Sequence, residues 1–149
     1  MSYTWLHPDQ WLAVLRIGLG LWWLESFRHK DKRAWFQRGA CIGWAASVAE
    51  KHRWAVVRVG FERVVKPRPK PMSYVVVLGE LAIGLGLAFG FLTPVAAFAG
   101  LALNAMYFTL MIHDWAEQGQ NSMMALISVV VLGTHAWQTW SLDHWIGLF

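Results

Sequence analysis

Glu80 is the one charged residue in Tyr74–Leu92, a nineteen-residue stretch reading YVVVLGELAIGLGLAFGFL. Placing a carboxylate inside so apolar a segment costs roughly 2.5–3.5 kcal/mol on insertion scales, so something must compensate for it. Two roles are open. The group can be a protonated or snorkelling carboxylate that helps helices pack, or it can handle protons or a ligand. Arg16, Glu25, Asn104 and His135 are the other polar residues set within apolar runs. Counted from the edge of the basic segment at about 1.5 Å per residue, the order inward is Glu25, Glu80, Asn104, Arg16, His135. If these side chains face inward they form a graded polar track. Arg16 and Glu80 differ by roughly 9 Å in height, and we expect them to pair directly or through one water, or failing that Arg16 to pair with another inward-facing polar group. Glu80, Arg16 and His135 are the candidate catalytic residues, and the same three with Asn104 are the candidate cofactor-binding set.

His135 is the only histidine placed deep in an apolar run. An axial haem or chlorophyll site would lack a second deep histidine, which leaves a hydrogen-bonded structural role, a quinone contact or a proton relay. No two histidines lie three or four residues apart, so no local metal motif exists and no metal site is expected. The single cysteine, Cys41, excludes an intrachain disulfide and any CxxC motif. Neither a Gly-rich phosphate loop nor a nucleophile elbow is present.

Positioning these residues requires helices. The chain has 149 residues, enough for one domain; 56% are hydrophobic and the mean hydropathy is +0.36, values suited to a small bundle of membrane helices. Eleven Trp residues favour membrane interfaces, where an apolar ring can keep a wet N–H; Trp5, Trp11, Trp22 and Trp23 fall at the ends or flanks of the first apolar run. Twelve of the thirteen Lys and Arg lie between Arg28 and Lys70, with Arg16 the exception. A basic segment between two apolar spans fits the positive-inside rule and gives no reason to expect nucleic acid as a partner.

The sequence therefore predicts an all-α membrane protein. It is a four-transmembrane-helix bundle with spans at about 8–27, 74–92, 94–113 and 122–140. A long basic cytoplasmic loop, 28–73, joins helices 1 and 2, and both termini lie outside. The N-terminus has no positive n-region or small-residue cleavage site, so no cleaved signal peptide is expected. Within the loop, residues 34–65 read as one or two amphipathic helical segments on the inner membrane surface, or as a packed cap without lipid contact. KPRPKP (66–71) breaks any helix and predicts an extended linker. Pro94 suits the first turn of the third span. Ala82, Gly86 and Gly90 repeat every four residues, as do Ala96, Gly100 and Asn104, a spacing that lets spans two and three pack closely.

Three stretches resemble a known family. LRIGLGLWWLES (15–26) is similar to the opening helix of the DoxX/DoxD family of small four-helix membrane proteins. LGELAIGLGLAFGFLTP (78–94) resembles its Glu-bearing second helix and turn, and WSLDH (140–144) resembles its Ser-Leu-Asp ending. The family's first helix commonly ends in a Gly-x-x-Lys-like pattern, where this chain reads ESFRHK. The family includes the large subunit of thiosulfate:quinone oxidoreductase. The resemblance implies a redox-linked subunit in a bacterial or archaeal inner membrane, passing electrons from a sulfur compound such as thiosulfate to quinone. With no flavin or metal motif, the chain would offer a quinone pocket to which Arg16, Glu80 and His135 supply hydrogen bonds and protons. The alternative is a non-catalytic accessory or structural subunit of a larger respiratory or photosynthetic complex. Membrane lipids and other membrane subunits, or further copies of the chain, are the expected partners. Four helices without an inverted repeat leave little room for alternating-access transport.

Overall fold

The computed structural model describes residues 6–149, without the side chains of Arg38, Ala40, Cys41 and Trp44; Trp5 lies outside the described residues. The described residues are helical and contain no strand. Four long helices form the body: α1 (Pro8–His29), α5 (Pro69–Phe89), α6 (Thr93–Leu110) and α7 (Trp115–Gly133). Between α1 and α5 lie three short ones, α2 (Lys32–Arg38), α3 (Ala40–Glu50) and α4 (Ala55–Gly60), the last continuing as a π-helical turn, Phe61–Val65. A final short helix, α8 (Leu142–Ile146), closes the chain. Among the described residues, α5 and α6 are the helices long and apolar enough to cross a membrane.

The helix ends follow their sequences. Pro8 opens α1, and Asp31 caps α2 by accepting from the Arg33 and Ala34 amides. Asp114 does the same for α7 at Ala116 and Glu117. The expected extended linker before α5 is not found. Pro69 and Pro71 sit inside the first turn of α5, where the amides have no intrahelical partner and proline costs little. The helix therefore begins five residues before Tyr74. At its other end Gly90, with φ of 66°, takes the left-handed conformation, and the Phe91 amide bonds the Gly86 carbonyl at 2.8 Å. Pro94 falls in the first turn of α6, as the sequence predicts.

Small residues let the helices meet, although the tightest contact is one the sequence pattern did not single out. α1 runs antiparallel to α5, and a Cβ on Gly20 would lie 2.4 Å from the Ala88 backbone nitrogen. In the α5–α6 hairpin a Cβ on Gly86 would lie 2.8 Å from the Ala96 Cβ, so this pair of the expected small-residue stripe does meet. Ala82 is exposed and takes no part in the packing. The main core gathers Leu19, Trp23, Ile83, Leu87, Ala97 and Val131.

The basic segment folds into a cap with its own small core of Ile42, Ala45, Ala49 and Phe61. His52, 1% exposed, fastens it: its Nε2 donates to the Thr109 carbonyl of α6 at 2.8 Å while Nδ1 accepts from the Trp54 amide. These two partners fix the neutral tautomer. The ring of Phe36 stacks on Tyr74 of α5 at 4.4 Å. On the outside of the cap, Lys66 donates to Glu62 and Glu50, and these bonds hold its ammonium above the ordinary lysine pKa. Val56, Val59 and Val64 remain on the exposed face of α4 and the π turn.

Candidate functional site

Glu80 lies on α5 with no exposure, and three side chains close on its carboxylate. Lys30 Nζ, at the C-cap of α1, donates to Oε2 at 2.5 Å. Tyr107 of α6 donates to Oε1 at 2.8 Å, and Ser26 of α1 donates to the same oxygen at 3.3 Å. Lys30 also bonds Ser26 Oγ at 2.9 Å and lies over the Trp35 ring, 5.1 Å from its centroid. Hydrogen bonds from three donors, one of them an ammonium, offset the cost of burying the carboxylate. Three elements therefore build the cluster, and its net formal charge is zero.

The cluster contributes to the polar part of the wall of a cavity of about 760 Å³. The remaining lining is mostly apolar and soft, with Trp22, Trp23, Met72, Met106, Met111 and Met124 among it, and α7 adds the polar residues Glu117, Gln120 and Asn121. Methionine side chains adapt to the shape of what they touch, so such a wall accommodates a flexible apolar molecule. The inner faces of α4 and the π turn, through Val57, Phe61 and Val65, make the cap side of the cavity. Size and chemistry match a small-molecule site of the usual kind, mostly apolar with a few placed polar groups.

Two further polar groups on the wall have no partner within the protein. Asn104 is fully buried, and neither its Oδ1 nor its Nδ2 is hydrogen-bonded. Trp23, 1% exposed, leaves its Nε1 unbonded. A Cβ on Gly100 would stand 3.4 Å from that nitrogen, and Gly100 is one turn before Asn104 on α6. Both Trp23 and Asn104 belong to the cavity wall.

Of the polar residues singled out from sequence, Glu80 and Asn104 share the cavity and the others do not. The expected pairing of Arg16 with Glu80 is overturned, because Lys30 occupies that place. Arg16 is fully buried in the N-terminal half of α1, away from Lys30, where its Nη2 donates to the Trp140 carbonyl at 2.7 Å. The nearby charge there is that of Asp143. Asp143, also fully buried, accepts from the Leu92 and Thr93 amides at 2.7 and 2.8 Å and so caps α6 from a distant part of the chain. His135 is not deep in a span. α7 ends at Gly133, seven residues before the expected limit, and His135 follows it with φ of 54°, exposed and stacked on Trp137 at 4.8 Å. Thr134 and His135 take up the turn that brings Ser141 and Asp143 back onto Gly90. Glu25 faces outward and pairs with Arg28 and His29.

Lys30, Ser26, Tyr107 and Trp23 were missed. One signal was available: Lys30 is the lysine of ESFRHK and lies four residues after Ser26, one turn along the same face. Among the described residues no group of three or more His, Cys, Asp or Glu could hold a metal ion. Comparisons of the chain with family models, with curated proteins and with solved structures give no match.

Proposed function

We propose that the protein is a DoxX/DoxD-like membrane subunit of a quinone-linked oxidoreductase, with the cavity between α1, α5, α6 and the cap as its quinone site. The observation that carries this reading is a fully buried Glu80, paired with the partly buried Lys30, on the wall of a mostly apolar cavity of about 760 Å³. Quinone, when bound, supplies a two-electron acceptor that takes up protons. The chain's own residues fit such a group. The unbonded Trp23 and Asn104 atoms offer hydrogen bonds to ring oxygens, the methionine wall suits an isoprenoid tail, and Lys30 and Tyr107 carry exchangeable protons hydrogen-bonded to the Glu80 carboxylate, which can accept one. Electrons would come from a sulfur compound such as thiosulfate, through a partner subunit.

Four spans, α1, α5, α6 and α7, in a bacterial or archaeal inner membrane fit this reading. Their lengths, 18 to 22 residues, correspond to about 27–33 Å. Outward-facing Trp11, Leu21, Val75, Phe98, Leu126 and Val129 give all four helices an apolar exterior. The basic cap then lies on the cytoplasmic side and both termini outside.

Thiosulfate-dependent quinone reduction in native membranes tests the proposal. Glu80→Gln should lower turnover by about 10²-fold or more, the usual scale for a lost proton-transfer group, while the protein still accumulates. Wild-type turnover in that variant would overturn the proposal and favour the accessory-subunit reading.

A further inference from the structure

Besides the polar residues of α7, Glu117, Gln120 and Asn121, the cavity wall holds two polar stations of different character. At the first, every oxygen of Glu80 already has a donor. At the second, Asn104 and Trp23 present buried polar atoms with no protein partner. Whichever way the Asn104 amide is turned, one of its terminal atoms donates and the other accepts. The Trp23 indole donates only. A ligand that satisfies this station must therefore give a hydrogen bond as well as receive one. A ring carbonyl can receive from the indole and the amide nitrogen, but it leaves the amide oxygen buried without a donor. A ring hydroxyl receives one bond and gives another, and an unmade bond at a buried acceptor is costly.

We infer that Trp23 and Asn104 form a hydroxyl-recognition subsite, so that the cavity binds the hydroxylated, reduced form of its ring ligand more tightly than the carbonyl form. This deepens the quinone reading and rests on it for the identity of the ring, but not for the hydroxyl preference. The expected preference is about tenfold, equivalent to about 1.4 kcal/mol. Tenfold tighter binding of the reduced form raises the potential of the bound two-electron couple by about 30 mV. The subsite thus favours the direction in which quinone is reduced by the sulfur donor.

The test is binding of two ligand pairs to the full chain in lipid nanodiscs, followed by tryptophan fluorescence and by competition. One pair is decylubiquinol and decylubiquinone. The other is para-nonylphenol and its methyl ether, which keeps the oxygen acceptor and loses the donor without any redox chemistry. We expect the hydroxyl member of each pair to bind about tenfold tighter. Asn104→Leu should bring both ratios to near one, whereas Trp23→Phe, read by competition, should weaken both members together. Ratios near one in the wild type, or a preference undiminished in Asn104→Leu, would overturn the inference; the wild-type ratios decide even if a variant fails to fold. A phenol preference without binding of either quinone form would overturn the quinone reading and leave the hydroxyl subsite standing. Binding of neither pair would overturn both.

Discussion

Glu80 and Asp143 are both fully buried carboxylates, at opposite ends of the bundle, and they meet different surroundings. Asp143 faces backbone. Its two oxygens take the first amides of α6, its own amide bonds the Gly90 carbonyl at 2.8 Å, and the charge of Arg16 lies nearby. That end is tightly packed at Gly90, where a Cβ would stand 2.4 Å from both Arg16 Nη1 and Ser141 Cβ. Glu80 faces side chains and a cavity. One acid fixes where the chain goes, and the other equips a space the chain encloses. Burial of a carboxylate alone does not tell these two roles apart; whether its partners border a cavity does.

The largest expected effect breaks the structural end. Asp143→Ala removes two charge-assisted caps and the carboxylate opposite Arg16, and should cost about 3–5 kcal/mol. Thermal unfolding in detergent micelles would show it, and the fraction that stays folded should keep wild-type turnover per molecule. A variant as stable as wild type would break the distinction between the two acids. Asp143→Asn keeps an acceptor for one amide and should lose less.

A smaller effect sharpens the comparison at the contact that joins both ends, the α1–α5 seam. Gly20→Ala pushes a methyl group against the Ala88 backbone, which cannot move as a side chain can, and should cost about 1–3 kcal/mol. Gly18, with nothing within 4 Å of its Cβ position, is the control. Gly18→Ala should be neutral or stabilising by up to about 1 kcal/mol, because glycine is a poor helix former. Equal melting temperatures for the two variants would remove the seam as a determinant of stability.

Glu80 and Asn104 were legible in the sequence because a polar residue in an apolar run must be compensated, whatever the fold. Their partners were not. Counting residues along spans gives heights but no azimuth, so it ranked Arg16 as the nearest cation to Glu80. The helix direction puts Arg16 beside Gly90 instead, and the cation that reaches Glu80 belongs to what reads as a stop signal, ESFRHKDKR. Lys30 enters because α1 continues to His29, past the expected limit of the span. The prolines of 66–71 misled for a related reason. They exclude a helix interior but suit a first turn, and only the packing of Gly39 against Pro69 shows which applies. Asp143 stands in the WSLDH segment, but capping another helix 50 residues away leaves no local pattern to read.

The smallest expected effect belongs to His135. On an apolar run it reads as a deep residue of the fourth span, open to a structural role, a quinone contact or a proton relay. In the fold it lies outside α7, in a left-handed turn on the structural side of the molecule, with its ring on Trp137 and away from the cavity. The positive φ explains its place, since histidine tolerates that conformation better than most residues, and the backbone there must reverse to deliver Asp143. His135→Ala should therefore leave quinone reduction within about twofold of wild type, whereas Glu80→Gln loses about 10²-fold. Stability should fall slightly with the loss of the ring contact. His135→Gly, which suits the turn without strain, should recover part of that loss. A tenfold fall in turnover for His135→Ala with an unchanged melting temperature would mean that the two ends are chemically coupled, and the division of labour between Asp143 and Glu80 would no longer hold.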